Sequence, residues 1–356
     1  MSCVETSTPA PSEYPWNDMA PGLRAAAEPI RQWLEDPDVL EIMCNRPGEI
    51  FVEKLGAEQM LRFEIPALTR EAIEKLAHRV AHHSSQHVNN ETPLLSSDMP
   101  NGERFQAVLW PAAPRGGAFT IRKQVIREMR LEEYLDRGGF DNVKITGPHH
   151  VIAETITPQD REFIAILKGD RPRDRLEAVR YAFNQGITNI ISGGTSSGKT
   201  TLFNAAMKEI PQWERFVTME DTPELRPWQP NWVQLIASKG DQGRAKVQMP
   251  QLLETAMRLR PDRLFMGEVR GAEAFTYLQA LNTGHSGSSG TTHANNPWGA
   301  YERLAMAALM ANMNMPKADL IEFARSVIPL VFQINRSPAG RRGMTEIYFS
   351  KWEMAA

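Results

Sequence analysis

The stretch Gly193-Gly194-Thr195-Ser196-Ser197-Gly198-Lys199-Thr200 carries the sharpest chemical signal in this 356-residue chain. It fits G-x-x-x-x-G-K-[ST], a glycine-rich turn that opens a helix and cradles the phosphates of a nucleotide. Glycines remove the Cβ atoms that would hold an anion away from the backbone. Successive N–H groups and the helix N-terminus then offer donors and partial positive charge. Lys199 is placed to reach β- and γ-phosphates, and the Thr200 hydroxyl to ligate Mg²⁺, with Thr201 next in the same turn. Gly193 to Thr201 are therefore the candidate ligands of ATP.

Phosphoryl transfer needs more than a cradle. Arg263-Leu264-Phe265-Met266-Gly267-Glu268 reads as an apolar strand ending in a carboxylate. Glu268 is a candidate to hold Mg²⁺ through water, or to orient and deprotonate the attacking water. A second strand end, Thr218-Met219-Glu220-Asp221-Thr222-Pro223-Glu224-Leu225, sets two acids side by side. It makes Glu220 a rival base at the same metal–phosphate centre; the plainer reading is a solvated turn before Pro223. Gly284 to Ala294 is a run of small residues containing His285 and His293. His293, after Thr291 and Thr292, is the candidate γ-phosphate sensor. Negative charge spreading in the transition state also calls for cations. Arg104, Arg122, Arg258, Arg260 and Arg270 are candidates.

These residues need elements to carry them. Ile187 to Ile191 is short, apolar and β-branched between two glycines, which predicts a buried strand. Thr201 to Ile210 predicts a helix stopped by Pro211. Strands are predicted at 215–219, 232–237, 264–267 and 288–293. They alternate with helices at 250–260, 272–281, 297–311 and 316–328, before a closing hairpin of 331–335 with 344–349. That alternation predicts an α/β domain with a largely parallel sheet. Its C-terminal strand edge is where ligands bind. Thr157-Pro158-Gln159-Asp160 predicts a helix start, with Thr as cap and Pro in the first turn.

Upstream the pattern predicts a smaller α+β domain. A helix is expected over 23–34, strands at 39–43 and 49–54 around Asn45-Arg46-Pro47-Gly48, and a helix capped by Thr69 running to about His83. A hairpin of 105–110 with 118–123 brings Arg104 near one edge and Arg122 near the other. His78, His82, His83 and His87 crowd together but lack H-E-x-x-H, so a polar helix face is the better reading. Residues 1–22 are predicted to be a flexible tail, 23–135 the α+β domain, 136–158 a linker rich in glycine, and 159–356 the phosphate-loop domain.

Bulk composition narrows the class. A net charge of −3 excludes a polycation built for nucleic acid, and no sequence-specific nucleic-acid binding is expected. Two cysteines, Cys3 and Cys44, support neither a disulfide framework nor a cysteine zinc site. The N-terminus lacks the basic and apolar regions of a secretory signal. No apolar run has the length to span a bilayer; Val327 to Ile334 is interrupted by Pro329 and Gln333. A cytoplasmic chain is expected, with any membrane association peripheral and made through partners.

Taken together the motifs resemble the ATPases of type II and type IV secretion systems and type IV pili, and most of all the hexameric traffic ATPase of type IV secretion and conjugation. The stretches that carry the resemblance are 193–200 as Walker A, 219–225 as an acidic box, and 258–262 running into 268–271 as Walker B. The histidine box, 284–294, is followed by Pro297 and Tyr301-Glu302-Arg303-Leu304. The resemblance implies a RecA-like ATPase domain behind the smaller N-terminal domain, and a homo-hexameric ring hydrolysing ATP with Mg²⁺. It implies nucleotide held between the two domains, with Arg104 and Arg122 toward the γ-phosphate; whether they act within or across subunits depends on how 136–158 routes the chain. It implies docking on the cytoplasmic face of the inner membrane against other secretion ATPases and a coupling protein, to power substrate translocation or pilus assembly. Glu268 in place of Asp is normal in that family; Ser196 departs from its more usual Gly. The rival readings are a type II secretion or pilus motor, a phosphate-loop DNA motor, and a non-hydrolysing scaffold. The cysteine count excludes only rivals that carry a tetracysteine zinc insertion.

Overall fold

The computed structural model describes residues 14–353 except 56, 58, 124–128, 152, 238–246, 312–313 and 337–340. The chain divides into two compact units, Met1–Val125 and Ile126–Ser238 with Val247–Ala356.

The first unit is built on an antiparallel sheet of β1 (Val39–Arg46), β2 (Glu49–Lys54), β3 (Leu61–Glu64), β4 (Leu94–Asp98), β5 (Arg104–Val108) and β6 (Ala118–Arg122). Its order is β3-β2-β1-β6-β5-β4. Helix Arg70–His83 buries Ile73, Leu76, Ala77 and Val80, and the Thr69 hydroxyl accepts from the Ala72 N–H at its start. The helix expected over 23–34 is broken into Pro21–Ala27, a 3-10 turn Glu28–Ile30 and Arg31–Glu35. Pro29 lacks an N–H and its ring obstructs the preceding turn. The expected tail is shorter than 1–22. Trp16 and Met19 are buried in the unit's core, because two large apolar side chains gain more there than in water; residues 1–13 lie outside the described residues. Cys44 is buried and unbridged. His78, His82, His83 and His87 are all exposed, and no group of three or more metal-ligating side chains occurs among the described residues.

The second unit carries β7 (Lys144–Thr146), β8 (Asn189–Gly193), β9 (Phe216–Glu220), β10 (Trp232–Ile236), β11 (Arg263–Met266), β12 (Ser289–Thr292), β13 (Leu330–Arg336) and β14 (Arg342–Phe349). The order is β10-β9-β11-β12-β8-β13-β14-β7, parallel from β10 to β13 and closed by the antiparallel β13–β14 hairpin. Neighbouring residues on a strand serve opposite cores. Ile191, Phe216, Phe265 and Phe332 pack on one face, and Ile190, Val217, Leu264 and Val331 on the other. Such continuous apolar strands are what a parallel sheet covered on both sides requires.

The segment 136–158 is not a linker between the units. Phe140 lies in the second unit's core, and β7 pairs with β14 at the sheet edge. Glycines obscured this in the sequence, since the pairing is a short edge contact that leaves no periodicity. The Thr157–Asp160 cap forms as expected and opens helix Pro158–Leu167.

Candidate active site

The phosphate loop leaves β8 at Gly193 and ends at helix Lys199–Met207. Gly193 has no room for a side chain: a Cβ there would lie 2.3 Å from the Ile334 carbonyl oxygen and 2.6 Å from Ser197 Oγ. Gly198 takes φ +99, open to glycine but strained for other residues. Ser196 also sits at positive φ, +55, which explains why glycine suits that position better. The left-handed conformation costs a non-glycine residue roughly 1–2 kcal/mol. The Ser197 hydroxyl is buried with no hydrogen-bond partner among the described residues. Thr195 is exposed at the tip, while Thr200 and Thr201 follow Lys199 in the first helical turn.

Lys199 is buried, and its Nζ donates to the carbonyl oxygens of Gly193 and Gly194 at 2.8 and 2.9 Å. A buried ammonium needs such partners. The same nitrogen is 3.5 Å from His293 Nε2, and His293 Nε2 is 3.8 Å from Glu268 Oε1. Strand order explains the convergence. β12, which leads into His293, lies between β8, which leads into the loop, and β11, which leads into Glu268. The histidine segment is tied down on both sides. Val269 N–H donates to Thr291 O at 2.8 Å, Thr291 Oγ1 donates to Gly267 O, and Gln333 Nε2 donates to Ala294 O at 3.1 Å. His285 is engaged elsewhere, with Nδ1 3.0 Å from Ala280 O.

Glu220 is placed differently from expectation. It is 1% exposed, and Oε1 accepts from the N–H groups of Glu224 and Leu225 at 2.7 and 2.8 Å, while Oε2 accepts from Gln234 Nε2 at 3.0 Å. Burial pushes its carboxyl up to about 7, against those hydrogen bonds and with help from the Glu224 charge. Oε1 holds the 220–225 turn and Oε2 is tied to Gln234 of β10, so both oxygens are taken up inside the protein. The carboxylate that reaches the loop is Glu224: Thr200 Oγ1 donates to its Oε2 at 3.0 Å. Asn204, buried on the loop's helix, clamps the same turn by donating to Glu224 O at 2.9 Å and accepting from Arg226 N–H at 2.8 Å. Sequence reasoning passed over Glu224 because the turn had to fold back onto the helix to bring it near. The Pro223 bend was the available signal. Arg270, a candidate cation, is ion-paired with Asp221.

Arg104 and Arg122 lie in the first unit, directly opposite each other on β5 and β6. Arg122 Nε is 3.4 Å from Glu41 Oε1.

The Thr200 hydroxyl and the Glu224 carboxylate are hard oxygen donors 3.0 Å apart, and such a pair fits Mg²⁺. That ion prefers one or two carboxylates plus phosphate oxygens and water over an all-protein cage. No cage of three or more metal-ligating side chains exists among the described residues.

A glycine loop between strand and helix at the C-terminal edge of a parallel sheet, with a lysine, a threonine and neighbouring carboxylates around it, defines a phosphate-loop nucleotide-binding protein. The chain belongs to the Type II/IV secretion system protein family, whose profile matches residues 149–337. It is 33% identical over 332 residues, 92% of each chain, to the type IV secretion system protein VirB11 of Bartonella henselae. It is 36% identical over 289 residues, 81% of each chain, to the protein VirB11 of Agrobacterium fabrum. Among solved structures, the VirB11 ATPase of the Brucella suis type IV secretion system, in complex with sulphate, superposes with a TM-score of 0.50 at 31% identity, covering 92% of this chain and 98% of that one. The pilus retraction motor PilT with bound ADP shares the fold, with a TM-score of 0.53 at 16% identity over 92% of this chain and 82% of that one.

Proposed function

We propose that this chain is a Mg²⁺-dependent ATP hydrolase of a type IV secretion system, working as a homo-hexameric ring that powers substrate translocation or pilus assembly. In this reading it docks peripherally on the cytoplasmic face of the inner membrane, against the other secretion ATPases and a coupling protein. No helix among the described residues is long and apolar enough to cross a membrane. The observation that carries the proposal is the convergence of Lys199, Thr200, Glu224, Glu268 and His293 on one loop at the sheet edge. Identity of 33% to a VirB11 protein, against 16% to a pilus retraction motor, favours the type IV secretion branch.

The residues take distinct roles in this reading. Lys199 exchanges the carbonyls of Gly193 and Gly194 for the β- and γ-phosphates when nucleotide enters. The Thr200 hydroxyl and the Glu224 carboxylate hold the metal side of the triphosphate, with Glu268 acting through water. Bound Mg²⁺ neutralises charge on the phosphate oxygens. Glu268, partly exposed, orients the attacking water and takes its proton. His293, between Lys199 and Glu268, registers whether the γ-phosphate is present. Glu220 shapes the turn. Arg104 and Arg122 supply cations to the γ-phosphate.

Single-turnover hydrolysis by the purified full chain with ATP and Mg²⁺ tests the proposal. Phosphate release is expected. ATP binding in the assembled ring with no release would sink the enzyme reading and leave a nucleotide-binding scaffold.

A further inference from the structure

The β13–β14 hairpin reaches the nucleotide loop. β13 runs parallel to β8 with Ile334 opposite Gly193, so the hairpin passes beside the start of the loop. Two residues further on, Arg336 pairs directly with Arg342 across the hairpin. The Arg342 stem lies against the last glycine of the loop: a Cβ built on Gly198 would sit 3.8 Å from Arg342 Cδ and 3.9 Å from its Cβ. That is ordinary van der Waals distance, and it sets the stem of a guanidinium-bearing side chain beside the segment whose N–H groups meet α- and β-phosphates. Directly opposed residues of an antiparallel pair share a face at about 5 Å, so Arg336 stands on the same face of the hairpin as Arg342. A guanidinium fork also matches phosphate oxygens two at a time, which an ammonium does not.

We propose that Arg342, assisted by Arg336, is a nucleotide-binding residue that contacts the α/β-phosphate portion of ATP and ADP alike. This rests on the nucleotide reading of the loop. It also sets Arg342 apart from Arg104 and Arg122. Cations that meet only the γ-phosphate slow turnover and leave ADP affinity nearly unchanged. A cation beside Gly198 acts on both nucleotides.

Equilibrium titration of the full chain with a fluorescent ADP and with a non-hydrolysable ATP analogue, Mg²⁺ present, separates these roles. Arg342→Ala is expected to weaken both by about tenfold or more, the scale of a lost charge-assisted hydrogen bond. Arg342→Lys is expected to fall between that variant and the parent, and Arg336→Ala to move both affinities the same way by less. Arg104→Ala serves as the contrast, with ADP affinity kept. The unfolding temperature without nucleotide is expected to stay at the parental value, since Arg342 is only half-buried. Should Arg342→Ala melt early, Arg342→Gln keeps most of the stem on Gly198 and carries the test with the same expected loss. Parental affinity for both nucleotides in a normally melting variant overturns the proposal, and so does loss of ATP affinity with ADP untouched. A parent chain that binds neither nucleotide would instead refute the nucleotide reading on which the proposal rests.

Discussion

β9 and β11 are adjacent and parallel, paired from Phe216–Arg263 to Met219–Met266, so Glu220 and Gly267 stand side by side at their ends. Both strands finish in acidic residues, and in sequence the two ends look interchangeable. The structure separates them by one residue of stagger. Glu220 still belongs to its strand and points into the protein, where it fills the space a side chain at 267 would need. A Cβ on Gly267 would come 3.0 Å from Glu220 Cγ. Glu268 lies two positions beyond its strand, one past the residue beside Glu220, and is 3.8 Å from His293. Successive strand residues project to opposite faces, so a shift of one is enough to turn a structural carboxylate into one that water can reach. The lesson is that a carboxylate at a strand end is assigned by the N–H groups waiting for it. Glu220 has two in its own turn.

Four substitutions break or sharpen this contrast. Lys199→Ala sets the floor: loss of the phosphate-facing cation should cut hydrolysis on the order of a thousandfold, read as steady-state phosphate release. Turnover near the parental rate would remove the loop from the chemistry. Glu268→Gln should lower turnover by about a hundredfold or more, the scale of a general base, with ATP still bound. Tight ATP binding at an unchanged rate would move the base elsewhere. Glu224→Gln weakens the acceptor beside Thr200 and should raise the Mg²⁺ concentration for half-maximal activity by about tenfold, from loss of one charged ligand. A Mg²⁺ titration identical to the parent's would confine Glu224 to a structural role.

Glu220→Gln should be the mildest, with a rate within a few-fold of the parent and its main effect on stability against pH. The folded-state carboxyl sits at about 7, above its ordinary 4.5, so folding holds the proton more tightly than the unfolded chain does. That contribution is fully present below about pH 4.5 and is lost as pH rises through about 7. The variant should therefore show a flatter decline in melting temperature between those values. A large rate loss with an unchanged pH slope would reverse the two carboxylates' roles.

How much of this was legible in the sequence depended on how local the cause was. The strand–loop–helix unit and the strand ends before Glu268 and His293 were legible because glycine spacing and strand-end position are local properties. The doubly covered sheet was visible in apolar runs such as Ile190-Ile191. Glu224 was not legible, because its place depends on the turn folding back onto Asn204. Nor was β4, where Ser96 and Ser97 hide an alternating strand behind polar side chains. The false linker had the same origin: Phe140 is apolar but isolated among glycines, and only tertiary packing gives it a role. Trp16 and Met19 were misread because a Pro- and Ser-rich neighbourhood outweighed two buried anchors.

Asn204 has a further consequence, in exchange kinetics. Its side chain closes a ring of hydrogen bonds from helix Lys199–Met207 to both Glu224 and Arg226. A segment pinned at two points to a helix opens with that helix, as one cooperative unit. The amide protons of Leu225 and Arg226 should therefore exchange with solvent at the rate of the helix. Anything that quietens the helix would then slow the clock of a turn whose anchors lie 20 and 22 residues beyond Asn204 in sequence.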